Sequence, residues 1–395
     1  MKWKSLLLGG LLMVPVVLSG CWDRREINDV AFVLASGFDK EKDQYRVSVQ
    51  VPLPSQLGGI GGSGGGGGTS GDKSWYVESM TGSTIREANE KQQRSLSRQL
   101  YFAHRRVLLI GDEAAREGVK EYLDILARVP QNRLGTFVLI TKGETRDVMN
   151  AEESIEQTPA EMMRELAQNT MRKPRTAKHF IETLLSDGID PYAPAIQVVK
   201  TQSGSGKEKT TIKVIGLAVF SKGKLQGILN PEESQGALIA MNQAVQPMIN
   251  LPAPKGEGQL SILLGETNVN IKPALEGDKI KMRIVVRGKG SLIENTSAYD
   301  VTAGHNMEDT EKRLDESLKQ SLQKSIDMLR MKLHADPIGF GDIVYRKFPN
   351  EWQTMKKDWQ SHYEVMQVEI IPEIHIVHTG AITQPFGYKE GDLKQ

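Results

Sequence analysis

A single cysteine, Cys21, in a chain of 395 residues sets the terms on which this protein can fold. One thiol cannot close a disulfide within the chain or build a multi-thiolate metal site, so the fold must rest on packed cores. The material for such cores is ordinary globular composition, 39% hydrophobic and 25% charged, and the length suits two or three domains. Where the cysteine sits is as informative as its being alone. Lys2 and Lys4 precede an apolar run from Leu6 to Leu18, and Ser19-Gly20 leads directly into Cys21. A basic start, about a dozen apolar residues and a small-residue junction form the pattern of an exported precursor, short for a spanning helix.

Leu18-Ser19-Gly20-Cys21 resembles the lipobox of bacterial lipoproteins, in which the cysteine receives a diacylglyceryl group and becomes the acylated first residue after cleavage. An ordinary cleaved signal or an uncleaved anchor are the other readings of the same stretch. Each buried methylene contributes about 0.8 kcal/mol, and two chains hold a protein on a bilayer where one does so marginally. The whole chain carries a formal charge of +1, and losing Lys2 and Lys4 with the signal takes it to −1. That is not the footprint of a nucleic-acid binder.

Hydrophobic patterning predicts α+β architecture in three mixed α/β domains, each a sheet packed with helices, after a cleaved signal peptide at 1–20. The N-terminal block, 21–150, reads as strands over 30–37 and 44–51 in a hairpin, then helix 83–98, strand 104–110, helix 113–128 and strand 135–140. A glycine tract at 58–71 reads as a surface loop between strands. Val119, Tyr122, Leu123 and Leu126 give helix 113–128 one apolar face. The middle block, 151–250, starts with a helical connector that Lys173-Pro174 interrupts, turns β-rich over 195–229, and ends on a helix from Pro231. Prolines and glycines over 247–258 mark a boundary. The C-terminal block, 251–395, has two long strands, a helix over 307–334 striped by Leu314, Leu318, Leu322, Ile326, Leu329 and Leu333, and a closing strand over 365–377. Trp352, Met355, Trp359 and Tyr363 fall at helical spacing after Pro349 and read as a core or partner-facing stripe rather than a ligand platform.

Catalytic motifs are weak. Gly61 to Gly65 matches G-x-S-x-G, but an elbow needs a strand before and a helix after it, and low-complexity glycine produces such matches freely. Of the seven histidines, no pair has zinc-protease spacing, and His375 and His378 point to opposite faces of a predicted strand. His104, beside Arg105 and Arg106 at a strand start, is the most interesting, although a structural role is the commoner one. No metal or cofactor is expected beyond the lipid on Cys21.

Three further segments stand out together. The first is Cys21-Trp22-Asp23 followed by Glu26-Ile27. The second is Arg98, Leu100, Phe102 and His104 leading into Val107 to Gly111. The third is Gly216 to Phe220 with Gly227-Ile228-Leu229, and later Asp336-Pro337-Ile338-Gly339-Phe340-Gly341. Together they resemble the Ger(x)C family, the lipoprotein C subunits of spore nutrient germinant receptors. The resemblance implies a membrane-anchored, non-enzymatic subunit on the outer face of the spore inner membrane, with the two other receptor subunits as partners. It assigns a chemical role to Cys21 alone, and leaves Trp22, Asp23, Glu26, Arg98, His104, Asp336 and Gly341 as motif positions of unassigned role. Contact with the nutrient is left open. The 58–71 tract departs from the family pattern. A second reading is an extracytoplasmic solute-binding lipoprotein that passes a small ligand to a transporter, although no internal repeat of two lobes is visible.

Overall fold

The computed structural model describes residues 27–53, 73–152, 155–202, 208–277, 279–382 and 384–394. The glycine tract at 58–71 lies outside them. The described residues form a mixed α/β structure with two main sheets, each packed against helices.

The larger sheet has eight strands in the order β10-β9-β8-β7-β6-β2-β3-β4. These are β2 (Ala35–Glu41), β3 (Gln44–Pro52), β4 (Trp75–Gly82), β6 (Val107–Gly111), β7 (Phe137–Thr141), β8 (Tyr192–Gln202), β9 (Glu208–Ser221) and β10 (Lys224–Leu229). Its centre is parallel, β2-β6-β7-β8, and each flank is an antiparallel meander. Parallel strands are covered on both faces, which explains the unbroken apolar run of β6. Leu108 and Ile110 face one layer with Phe38, Tyr122 and Leu126. Val107 and Leu109 face the other with Leu139, Met149 and Met163.

Strands of blocks 21–150 and 151–250 share this sheet, joined by the short β7–β8 pairing of Ile140 with Ala195 and Thr141 with Ile196. The expected 30–37 strand is two strands in two sheets. β1 (Val30–Phe32) pairs in parallel with β5 (Gln99–Tyr101), and the chain then changes partner, with Val33 N donating to Tyr101 O and Leu34 N to Gln50 O. The predicted hairpin stands, turning between Glu41 and Gln44. The predicted helix 113–128 is broken into Asp112–Glu117 and Lys120–Arg128 by Gly118, whose φ of +148° suits glycine. The apolar face read from sequence is buried all the same: Val119, Tyr122, Leu123 and Leu126 all belong to the core.

The smaller sheet has the order β11-β12-β13-β14, from Met248–Pro252, Gln259–Glu276, Lys279–Asn295 and Gln367–His378. β11 occupies the stretch read as a boundary, because alternate burial of Ile249 and Leu251 lets a proline-bounded segment pair with β12. β13 alternates cleanly: Ile280, Met282, Ile284 and Val286 are buried, while Arg283 and Arg287 pair with Glu369 and Glu373 of β14 on the open face. β13 and β14 are parallel, so a long crossover must separate them. It contains the long helix Asn306–Asp327, whose Leu314, Leu318, Leu322 and Ile326 are fully buried, continued by one π turn that buries Leu329. Glu311 and Asp315 of this helix accept from Ile376 N and Ile374 N, occupying donors of the edge strand β14. Trp352, Met355 and Tyr363 are buried in the same core, in agreement with a packing role.

Helix Pro231–Ala240 joins the two sheets. Asn230 caps it, with Asn230 Oδ1 accepting from Glu233 N at 3.0 Å and Glu233 Oε2 from Asn230 N at 3.0 Å. Ala237 to Ala240 lie in one core with Leu217 and Leu229 of the large sheet and Leu318 and Leu322 of the long helix. At Gly236 a Cβ would overlap Ser325 Oγ and sit 2.9 Å from Ser321 O. Overpacking such a contact costs about 1–3 kcal/mol. Gly236→Leu is therefore expected to lower unfolding stability by at least ~2 kcal/mol in denaturant titration, although leucine is the better helix former. Gly135→Ala, at an exposed position with nothing within 4 Å of the added carbon, is expected to stay within about 0.5 kcal/mol of the parent. Equal effects at the two sites would contradict this packing.

Candidate functional site

Of the positions singled out in the sequence, Cys21, Trp22, Asp23 and Glu26 lie outside the described residues. The others fall into two clusters on different cores. Arg98 and His104 flank the short strand β5. Arg98 is exposed, and its carbonyl accepts from Gln93 Nε2 at 3.0 Å. His104 ends a 3-10 turn, Phe102–His104, which delays β6 to Val107 rather than the expected 104. Its ring is exposed and stands edge-on to Phe32, with centroids 5.1 Å apart. The inward-facing residue of this motif is the next one, Arg105, which is 7% exposed. Two adjacent basic residues in sequence do not say which of them turns inward.

Asp336 and Gly341 come together in the second cluster. The Asp336 carboxylate is buried and accepts from three consecutive backbone amides, Gly339 N at 2.9 Å, Phe340 N at 3.0 Å and Gly341 N at 2.9 Å. Those amides open helix Phe340–Lys347, which was not read from the sequence and whose first donors have no intrahelical partners. Gly339 takes a φ of +80°, which lets the chain fold back over the carboxylate. Gly341 has no room for a side chain, since a Cβ would sit 2.8 Å from Gly188 Cα and 2.9 Å from the Trp352 ring.

The same cluster ties the C-terminal helices to the segment that enters β8. Asp336 N donates to Asp190 Oδ2 at 2.8 Å, Asp190 N donates back to Asp336 O at 2.9 Å, and Asp342 N donates to Gly188 O at 2.8 Å. Asp190 carried no sequence signal, because its role depends on a residue 146 positions away. Close by, the buried Arg330 donates to the carbonyls of Tyr363 at 3.0 Å, Glu364 at 2.7 Å and Met366 at 2.7 Å, closing the end of helix Trp359–Val365. The chemistry of this cluster is the ordering of backbone: a carboxylate on helix donors and a guanidinium on helix acceptors.

Burial pushes the Asp336 carboxyl up from 3.8 to about 7, against the lowering effect of its three amides and with the nearby Asp190 adding to the rise. Burial raises Asp190 as well. The folded chain thus holds protons here that the unfolded chain releases at lower pH. Stability from this pair is fullest below 3.8, the ordinary aspartate value, and is lost as pH rises through about 7. Denaturant titrations at pH 5 and pH 8 are expected to show greater stability at pH 5. Asp336→Asn is expected to lose ~2–3 kcal/mol at pH 5, because an amide group then faces backbone donors, and to shrink the difference between the two pH values. An unchanged midpoint and pH difference would contradict the assignment.

Two family descriptions match the chain. "Spore germination protein N-terminal domain" covers residues 23–198, and "Spore germination B3/GerAC like, C-terminal" covers residues 215–380. YfkR of Bacillus subtilis (strain 168) is 43% identical over 371 residues, 94% of this chain and 96% of that protein. Spore germination protein KC of the same organism is 29% identical over 408 residues, 98% and 99% of the two chains. Among solved structures, the crystal structure of the GerBC protein matches with a TM-score of 0.57, covering 87% of this chain and 96% of that one. Its identity is 17%, so the likeness concerns the fold alone. With relatives aligned along nearly their whole length and both family segments present in order, the chain belongs to the Ger(x)C family of spore germination proteins.

Proposed function

We propose that this chain is the lipid-anchored C subunit of a spore nutrient germinant receptor. It is held through Cys21 on the outer face of the spore inner membrane, and works without catalysis as a scaffold or signalling component alongside the two other receptor subunits. The observation that carries this reading is the full-length similarity to spore germination proteins, combined with a lipobox-like Leu18-Ser19-Gly20-Cys21 directly before the family match begins at residue 23. Among the described residues no helix is long and apolar enough to cross a membrane. On this reading the lipid on Cys21 is the anchor, and two acyl chains suffice to hold a protein on a bilayer. The buried ionic groups of the second cluster support a scaffold role, since they lock helix ends and chain crossings in place.

Cys21→Ala is expected to move the protein from the membrane to the soluble fraction of spore lysates and to slow nutrient-triggered germination. Full germination with a soluble variant would contradict the receptor reading. Affinity purification of the tagged chain from detergent-solubilised dormant-spore membranes is expected to bring down multi-spanning receptor subunits, with a diacylated Cys21 found by mass spectrometry. An acylated chain that arrives with a transporter permease instead would favour the solute-binding alternative.

A further inference from the structure

The inward turn of Arg105 leaves a buried charge without a counter-charge among the described residues, and it does so on the wall of a cavity. The cavity has a volume of about 220 Å³ and lies between helices Ile85–Ser95 and Lys120–Arg128, with Ser36 of β2 and Val47 of β3 on its floor. Arg105 reaches two neutral acceptors, Ser36 Oγ from Nη1 at 3.3 Å and Asn132 Oδ1 from Nη2 at 2.9 Å. Asn132 is held in that orientation because its own amide donates to Ile125 O at 3.2 Å and Leu126 O at 3.4 Å. Among the described residues Arg105 Nε is buried with no partner, and no carboxylate forms an ion pair with this guanidinium. A second orphaned atom, Asn89 Oδ1, belongs to a residue lining the same cavity.

This arrangement differs from that of Arg330, the other buried arginine among the described residues. Arg330 spends its donors on three backbone carbonyls that need them. An arginine has five N–H donors in a planar fork suited to two parallel bonds with a carboxylate. Burying the charged group without such a partner leaves its desolvation cost unoffset by any ion pair. Burial lowers the Arg105 pKa to about 10, which still leaves it charged at neutral pH. The walls beyond the guanidinium include Phe102, Leu126 and Val129, which suit an apolar body, while Arg86 and Glu90, also on the lining, pair with each other at 3.2 Å. The volume of about 220 Å³ falls below the roughly 300–1,000 Å³ that takes drug-sized ligands, so the cavity suits only a small molecule.

We propose that this cavity binds a small organic carboxylate, its carboxylate seated on Arg105 and its apolar part against the Phe102 and Leu126 walls. The Arg98 to His104 motif acquires a role on this view. Gln93 fastens it by donating to Arg98 O and accepting from Leu100 N at 2.8 Å, and the fastened segment delivers Phe102 and Arg105 to the cavity. The proposal does not depend on the receptor reading: it concerns binding by the chain alone, and either can fail without the other.

The test is calorimetric titration of the full-length chain in detergent with 4-methylpentanoate and with its neutral isostere 4-methylpentanamide. The acid is expected to saturate one site and to bind at least tenfold more tightly than the amide. Arg105→Met, which keeps the stem and removes the charge, is expected to abolish that preference. Asn89→Asp places a competing carboxylate on the cavity wall from a half-buried position and is expected to weaken the acid at least tenfold while circular dichroism stays unchanged. Absence of saturable binding, equal affinity for acid and amide, or an undiminished preference in folded Arg105→Met would overturn the proposal and leave a water-filled cavity. Should Arg105→Met fail to fold, retention of the preference by Asn89→Asp would overturn it equally.

Discussion

Past its first two residues helix Pro231–Ala240 is buried almost throughout, between the two sheets, and their arrangement follows from that. On one side it packs on Leu217 and Leu229 of the large sheet; on the other it meets the long helix that covers the small sheet. Gly236 lets the two helices approach until Ser321 and Ser325 fill the place of its missing side chain. In a chain without a disulfide, such a contact takes over the work of a cross-link. Packing at interior density tolerates little displacement. The β12–β13 hairpin, the long helix and β14 then take their positions from the helix below them.

Buried ionisable side chains provide a second layer of definition. Asp336 collects the first donors of one helix, Arg330 the last acceptors of another, and Asp39 takes Thr145 N and Oγ1 at the head of helix Thr145–Met149. In each case the side chain replaces water at a helix end that the fold has enclosed, and so offsets a desolvation cost that would otherwise fall on the backbone. The Asp336 cluster does more, because Asp190 and Gly188 come from the entrance to β8. One carboxylate thus holds a helix start and a crossing between sheets together. Arg105 is the member of this group whose neighbours leave it incompletely satisfied, and that imbalance separates a structural ion from a binding one.

Much of this was legible along the chain. The stripe from Leu314 to Leu333 is regular over five turns, so its period identified a helix and a buried face together. The hairpin at Lys42-Asp43, the proline stop at Pro337 and the helix start at Pro231 are local events written in local residues. Shorter elements were less visible. Helices Thr145–Met149 and Phe340–Lys347 are too brief to show a period, and Gly118 divides a continuous amphipathic pattern without disturbing it. Helix Pro231–Ala240 is polar over its first turn and small or apolar over the rest, with no stripe along one face, so pattern could announce its start but not the surfaces it joins.

Sequence by itself determined the class of the fold, the cores that must exist in place of disulfides, the family, and an expected attachment at Cys21. These depend on composition, period and motif, which are properties of neighbours along the chain. Tertiary structure decided that strands from the first two blocks lie in one sheet, that Asp190 meets Asp336, and that Arg105 rather than His104 turns inward to a cavity. Those outcomes depend on burial and on partners far apart in sequence. A charged residue has the same letter whether it is solvated, paired or left waiting for a ligand, and only the folded surroundings tell these apart.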